Sequence, residues 1–242
     1  MKFSKKDIGR LYATFRSVAD CSDSDSFFRS KGFSLATVGR FGLLTTGMSL
    51  CSPELDSWFG GMSEEFRDAY AYVIPGYDVQ GEIDYLMVRR RAGCVRRGKD
   101  GVHKHLYVGD IERGLGKIYN SCRLIDDSSV VFIVESWTDA LSLEEIGIPA
   151  VAMNRVANCQ TVLKPLLEKH IAMARDKEYV VMCDSDNIGV AATRDISDMI
   201  EELGLRCRSV CPYPGRVKDA NEWLVADRQD FEVSMRCIVE GA

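Results

Sequence analysis

The second half of the chain alternates short apolar runs with helical patterns. Residues 130–134, Val-Val-Phe-Ile-Val, have the length and β-branched content of a buried strand. A helix is predicted over about 138–146, stopped by Gly147. Residues 150–153 read as the next strand, 158–176 as a longer helical stretch, and 179–183 as a third strand. Ile188, Ala191, Ala192, Ile196, Met199, Ile200 and Leu203 then recur on one face of a helix that ends at Gly204, the strongest amphipathic pattern in the chain. Residues 207–211 predict a fourth strand, weakened by Arg208. Strands alternating with helices imply a mostly parallel sheet with helices on both faces.

The first half has a different texture. Leu11, Phe15 and Val18 recur at helical spacing. The Asp-Ser-Asp-Ser run at 23–26 reads as a helix start ahead of Phe27 and Phe28, and Lys31-Gly32-Phe33-Ser34 as a helix stop followed by a new cap. Residues 70–75 and 85–88 are candidate strands on either side of a turn at 78–81.

Composition narrows the class. The chain has 242 residues, 46% hydrophobic and 28% charged, which excludes disordered and fibrous chains and fits one large domain or two small ones. No apolar run approaches the roughly 20 residues of a membrane helix, and no apolar stretch follows the charged start, so neither a membrane span nor a secretory signal is expected. Nine cysteines are scattered without a Cys-x-x-Cys pair. The expectation is reduced thiols in a cytoplasmic protein, with no structural zinc. A Walker A loop and a Gly-x-Ser-x-Gly elbow are both missing from the sequence, which argues against a P-loop ATPase and a serine hydrolase.

Candidate chemistry concentrates in acids. In an open α/β sheet, ligands bind beyond the carboxyl ends of the strands. Glu135 follows the first strand of the second half; Asp184 follows the third, 49 residues later, with Asp186 two positions on. Asp139 lies one helical turn past Glu135, where Ser136-x-x-Asp139 also reads as a capping box. Adjacent carboxylates repel unless a cation lies between them, and hard oxygen donors suit Mg²⁺ or Mn²⁺. Gly189 allows close backbone approach to a ligand at the start of the next helix.

Net charge is −5, so any binding to nucleic acid must come from a local patch. Arg89, Arg90, Arg91, Arg96, Arg97, Lys99 and Lys104 form a dense basic run broken by a single acid, Asp100. It reads either as a solvated loop or as a surface for nucleic-acid or nucleotide phosphates.

Val134-Glu135-Ser136-Trp137-Thr138-Asp139-Ala140-Leu141-Ser142, taken with Asp184-Ser185-Asp186-Asn187-Ile188-Gly189, resembles the TOPRIM domain shared by bacterial and phage DNA primases, topoisomerases and several nucleases. Lys218-Asp219-Ala220-Asn221-Glu222-Trp223-Leu224 resembles a segment that follows this fold in primases and phage primase-helicases. The Val73-Ile74-Pro75 and Tyr85-Leu86-Met87-Val88 stretches are similar to the small subdomain that precedes it, as is Ser30-Lys31-Gly32-Phe33-Ser34 to a short segment further upstream. Departures are Ser136 where primases commonly have glycine, and Asn154-Arg155 where they often have glycine-threonine.

The resemblance implies an α/β fold. A primase-like α+β subdomain at 1–115 would carry the basic loop, a TOPRIM domain would follow at 118–227, and 228–242 would be a short tail. It implies a Mg²⁺-dependent (or Mn²⁺-dependent) primase-like nucleotidyltransferase core in DNA replication, of phage or mobile-element type. Glu135, Asp184 and Asp186 would be catalytic metal ligands, Asp139 and Asp219 further metal-site acids, and Lys218 a phosphate contact. Expected partners are single-stranded DNA or RNA and nucleoside triphosphates, together with a helicase or a protein supplying a zinc module; no membrane is expected. The same carboxylates would serve a metal-dependent nuclease, and a non-catalytic nucleic-acid-binding protein is the third alternative.

Overall fold

The computed structural model describes residues 3–19, 27–46, 49–91, 104–109 and 117–241. The chain divides into two units, the first made of Met1–Arg29, Ser34–Gly76 and Ile83–Glu112, the second of Ser30–Phe33, Tyr77–Glu82 and Arg113–Ala242.

The first unit is built on an antiparallel sheet in the order β1-β2-β3-β4, with β1 Leu44–Thr45, β2 Tyr70–Tyr77, β3 Ile83–Arg90 and β4 His105–Gly109. Helix α1, Lys5–Ser17, is started by a capping box between Ser4 and Asp7. It turns Ile8, Leu11 and Phe15 into a core with Leu86, Val88 and Val108. The expected Val18 is its C-cap. Gly32 at φ 82° stops the chain where a helix end was read, and Ser34 accepts from the Thr37 N–H to start α2, Leu35–Arg40. The helix start expected at 23–26 lies outside the described residues. Two short helices, α3 Asp56–Phe59 and α4 Glu64–Asp68, precede β2. The turn expected at 78–81 is organised by Asp78, whose Oδ1 accepts from Gln80 N at 2.9 Å and Glu82 N at 3.0 Å.

The second unit carries a parallel sheet in the order β6-β5-β7-β8: β5 Val130–Val134, β6 Ala150–Ala152, β7 Glu178–Val181 and β8 Arg206–Ser209. Helix α5, Trp137–Glu145, follows β5, and α8, Asn187–Glu202, follows β7. β5 and β7 are fully buried over Val131–Val134 and Tyr179–Val181, as expected of inner parallel strands. β8 ends two residues earlier than the apolar pattern indicated, at an edge where Arg208 pairs with Glu178 of β7 at 2.8 Å.

Two further expectations are corrected. The stretch 158–176 is not one helix. Cys159–Leu163 forms a π turn, followed by α6, Lys164–Lys169, and α7, Ile171–Ala174. Pro165 cannot donate into the ladder, which accounts for the wide turn just before it. In α8 the buried stripe is Ala192, Ile196, Met199 and Ile200; Ile188 is 68% exposed and Ala191 is exposed too, because the first turn leaves the sheet at the carboxyl edge. After α9, Ala220–Ala226, the chain continues into α10, Arg228–Glu240, which buries Phe231 and Met235.

A buried polar network anchors the segment before β5. Asn120 Nδ2 donates to Glu144 Oε1 at 3.0 Å and to the Ala150 carbonyl at 2.9 Å. Arg123 forks onto both oxygens of Glu144 at 2.7 and 2.8 Å and reaches Asp126 at 2.8 Å. Lys177, 2% exposed, donates to the Ser128 carbonyl at 2.8 Å and pairs with Asp126 at 3.2 Å. Glu144 is 1% exposed, so removing its carboxylate leaves two Arg123 N–H donors and one of the two Asn120 amide contacts without an acceptor. Glu144→Leu is expected to destabilise the protein by about 3 kcal/mol, read as a lower urea midpoint at unchanged slope.

Candidate metal centre

The register of the parallel sheet brings the acidic residues together. β5 and β7 are neighbours, with Ile133 opposite Val181, and the pairing runs on through Met182 N to the Ile133 carbonyl at 2.9 Å. The chain therefore leaves both strands side by side. Glu135 is the first residue past β5, and Asp184 the third past β7. Both are half-buried, while Asp186 is exposed.

Each acid has a distinct local setting. Asp186 is the N-cap of α8, and its Oδ1 accepts from Ile188 N and Gly189 N at 2.9 Å each. Asp219 is the N-cap of α9, accepting from Glu222 N at 2.7 Å. Asp139 is buried and completes the capping box of α5: its Oδ2 accepts from Ser136 Oγ at 2.5 Å and Ser136 N at 3.3 Å. Its Oδ1 accepts from Asn221 N at 3.1 Å. Both Asp139 oxygens are thus engaged by protein donors.

The loop between Asp184 and α8 is tightly folded. A Cβ at Gly189 would lie 2.1 Å from the Asp184 carbonyl oxygen, so only glycine fits. The close approach anticipated here is to the chain's own backbone. Ser185 N donates to the Lys218 carbonyl at 2.9 Å, tying the acidic loop to the segment that begins α9. On the other side, Asn154 N donates to the Glu135 carbonyl at 2.8 Å. Asn154 adopts φ 54°, a left-handed conformation that asparagine tolerates better than most residues.

The electrostatics are those of crowded like charges. Burial pushes the Asp184 carboxyl up to about 7, helped by Asp139, Glu135 and Asp219. Burial raises Asp139 to about 6, with Asp219 adding to it. Glu135 is also raised, by burial first and then by Asp186. Lys218 opposes this charge; its ammonium lies 3.8 Å from Asp219 and 3.8 Å from Glu222, and both raise its pKa. Among the described residues no three His, Cys, Asp or Glu side chains gather into a ready-made metal cage. The arrangement is an open set of hard oxygens, which suits a cation that keeps several waters and takes few protein ligands; that is the habit of Mg²⁺ rather than Zn²⁺. Asp184 also borders a cleft of about 740 Å³ running along α8 past Asn187, Val190, Arg194 and Cys211.

The basic run is only partly described. Arg96, Arg97 and Lys99 lie outside the described residues. Arg89 and Arg90 end β3 and Lys104 immediately precedes β4. The three arginines are not equivalent, because strand alternation sends neighbours to opposite faces. Arg89 is half-buried over the Phe27 ring at 5.4 Å, near His105 Nε2 at 3.4 Å. Arg91 donates to the Thr46 carbonyl at 3.1 Å. Burial, with Arg89 and Lys104 nearby, holds His105 down at about 3. Lys218 belongs to the acidic centre instead.

Sequence reasoning passed over Asn221, Ser142 and Tyr213. Asn221 Nδ2 donates to the Lys31 carbonyl at 2.8 Å and to Ser142 Oγ at 3.0 Å. Tyr213 donates to the Met182 carbonyl at 3.3 Å, and its phenol is raised by burial and by Asp139 and Asp184. Asn221 lies inside the 218–224 segment but carries no charge to mark it; Tyr213 sits between two prolines without any signal.

Two outcomes follow. Asp184 and Asp139 bind protons more tightly folded than unfolded, so without metal their contribution lowers stability as pH rises from about 4 to about 7. Saturating Mg²⁺ should flatten that fall, measured as melting temperature against pH with and without the ion. Gly189→Ala should displace the Asp184 backbone and weaken Mn²⁺ binding by on the order of tenfold, measured by titration of free Mn²⁺.

Comparison with known proteins adds the family context. Residues 132–224 match the Toprim-like family. No curated protein matches the chain in sequence. The fold is similar to that of the Aquifex aeolicus primase zinc-binding and RNA polymerase domains, with a TM-score of 0.71 and 18% identity over 99% of this chain and 62% of that one. This chain therefore spans less than two thirds of that structure. It is also similar to the RNA polymerase domain of Mycobacterium tuberculosis primase DnaG, with a TM-score of 0.64 and 15% identity over 98% of this chain and 82% of that one. For the primase fragment of the bacteriophage T7 primase-helicase protein the TM-score is 0.57, with 16% identity over 86% and 71% of the two chains. The acids that leave β5 and β7 thus lie within the residues that match the Toprim-like family, in a chain whose fold is similar to those of solved primase domains.

Proposed function

We propose that this chain is the core of a primase-like nucleotidyltransferase that acts on nucleic acid during DNA replication, of phage or mobile-element type. The observation that carries the reading is the set of mutually repelling carboxylates at the carboxyl ends of β5 and β7, faced by the Lys218 ammonium. Glu135, Asp184 and Asp186 are the metal ligands in this reading. Asp139 and Asp219 contribute charge and hold the surrounding loops. When bound, Mg²⁺ or Mn²⁺ would neutralise triphosphate oxygens and favour attack by a 3′-hydroxyl.

The side chains of this chain then have definite tasks. Glu135 and Asp184 fix the cation from two adjacent strands. Asp186 does so from the helix start it caps, with its second oxygen left for the ion. Lys218, on the exposed rim, meets a phosphate of the incoming nucleotide. Raised proton affinities at Asp184 and Asp139 keep those two carboxylates from carrying full charge until a cation arrives.

Arg89, Arg90, Arg91, Lys104 and the intervening Arg96, Arg97 and Lys99 supply the phosphate contacts for a single-stranded template. The proposed partners are single-stranded DNA or RNA, nucleoside triphosphates, and a helicase or zinc-module protein that brings template. The proposed compartment is the cytoplasm; among the described residues no helix is long and apolar enough to cross a membrane. A T7 lagging-strand polymerase structure holds primase domains on an RNA/DNA hybrid with dTTP, which is the substrate chemistry proposed for this chain.

The test is one reaction series with Mg²⁺ or Mn²⁺ on labelled single-stranded DNA and RNA, with and without the four nucleoside triphosphates. Products built from triphosphates are expected, and Glu135→Gln or Asp184→Asn should reduce them on the order of a hundredfold or more while the fold is kept. Shortened strands formed without triphosphates would instead make the chain a nuclease. Replacing Arg90 and Lys104 together by alanine should lower the slope of log affinity against log salt by roughly one unit or more.

A further inference from the structure

The polar contacts around α9 single out one residue that the acidic motif does not contain. Asn221 is buried at 7% exposure in the first turn of α9 and makes three donated hydrogen bonds. Its backbone N–H meets Asp139 Oδ1 at 3.1 Å. Its carboxamide nitrogen meets the Lys31 carbonyl at 2.8 Å and Ser142 Oγ at 3.0 Å. The chemistry at this position is specific. A carbonyl accepts and cannot donate, and the Ser142 hydroxyl proton is already committed to the Thr138 carbonyl at 2.8 Å. Both neighbours therefore demand a donor, which fixes the orientation of the amide and excludes a carboxylate of the same shape.

The bracket reaches the acidic centre by two routes. Through Asp139 it meets Ser136, the residue after Glu135. Through the start of α9 it holds Lys218 and Asp219, and the Lys218 carbonyl in turn receives Ser185 N from between Asp184 and Asp186. The two acidic strand ends are thus referred to a single uncharged side chain fixed against α5 and the 30–33 segment. Arg228 reinforces the same segment, donating to the Gly32 carbonyl at 2.5 Å and to Glu145 at 3.2 Å.

We infer that Asn221 is the positioning residue of the metal centre: its carboxamide clamps α9 to α5 so that Asp139, and through it Glu135 and the Asp184-Ser185-Asp186 loop, is held in the arrangement that receives a divalent cation. This rests on the metal-site reading proposed above. Groups that orient metal ligands without touching the metal commonly change metal affinity by about 10- to 100-fold when removed.

The experiment measures Mn²⁺ binding to the full chain by loss of the free-ion electron paramagnetic resonance signal, at a temperature well below melting. Four proteins are compared: wild type, Glu135→Gln, Asn221→Ala and Ser142→Ala. Melting of each without metal is recorded alongside. Wild type should bind, Glu135→Gln should lose binding, and Asn221→Ala should bind about tenfold more weakly while folded. Ser142→Ala, which leaves the amide in place but removes one of its acceptors, should weaken binding by about threefold, the share of one neutral hydrogen bond. Binding by Asn221→Ala within twofold of wild type, even with a lowered melting temperature, would make its role merely structural and overturn the inference. If Asn221→Ala does not fold, Ser142→Ala decides, and wild-type affinity there overturns it. Absence of binding in the wild type, or full binding by Glu135→Gln, would overturn the metal-site reading itself and this inference with it.

Discussion

Repulsion between carboxylates is the constraint around which the second unit is arranged. Parallel pairing of β5 with β7 delivers Glu135 and Asp184 to adjacent positions, and burial amplifies their interaction. Isolated from a cation, such a cluster costs stability, and Asp184 and Asp139 answer by binding protons near neutral pH. The surrounding structure has the same purpose throughout. Gly189 closes the Asp184 loop, Asn154 holds the Glu135 backbone, and Ser136 and Asn221 hold Asp139 from opposite sides.

The division of labour among the acids is set by what else each is asked to do. Asp186 and Asp219 start helices through one oxygen. Asp139 uses both oxygens on protein donors, which makes it a support for its neighbours more than a free ligand. Glu135 and Asp184 are both raised by burial first; among charges, Asp186 acts most on Glu135, and Asp139 followed by Glu135 on Asp184. At the opposite, amino ends of the strands, the Asn120, Arg123, Glu144 and Lys177 network fixes the entry to β5 through buried polar bonds.

Much of this was legible in the sequence because the information was periodic or charged. The buried strands were visible as apolar runs, and alternation with helices implied the parallel sheet that puts Glu135 beside Asp184. The capping box of Ser136 and Asp139 could be read directly, although nothing in the sequence said that the same aspartate also receives Asn221. Other features depended on tertiary context. The break ahead of Pro165 was hidden by an apolar pattern that continues past it. Ile188 fitted the buried stripe of α8 by spacing, yet the first turn of that helix stands at the rim of the site and leaves it exposed. Asn221 was silent because its importance lies in donors aimed at two acceptors more than 75 residues away in the chain.

Mn²⁺ soaked into crystals of the protein would test the central claim most directly, through its anomalous scattering. The account predicts a peak about 2.1 Å from carboxylate oxygens of Glu135 and of Asp184 or Asp186, with the remaining positions filled by water. Crystals that hold Mn²⁺ elsewhere, or leave these carboxylates without a peak at saturating ion, would contradict it.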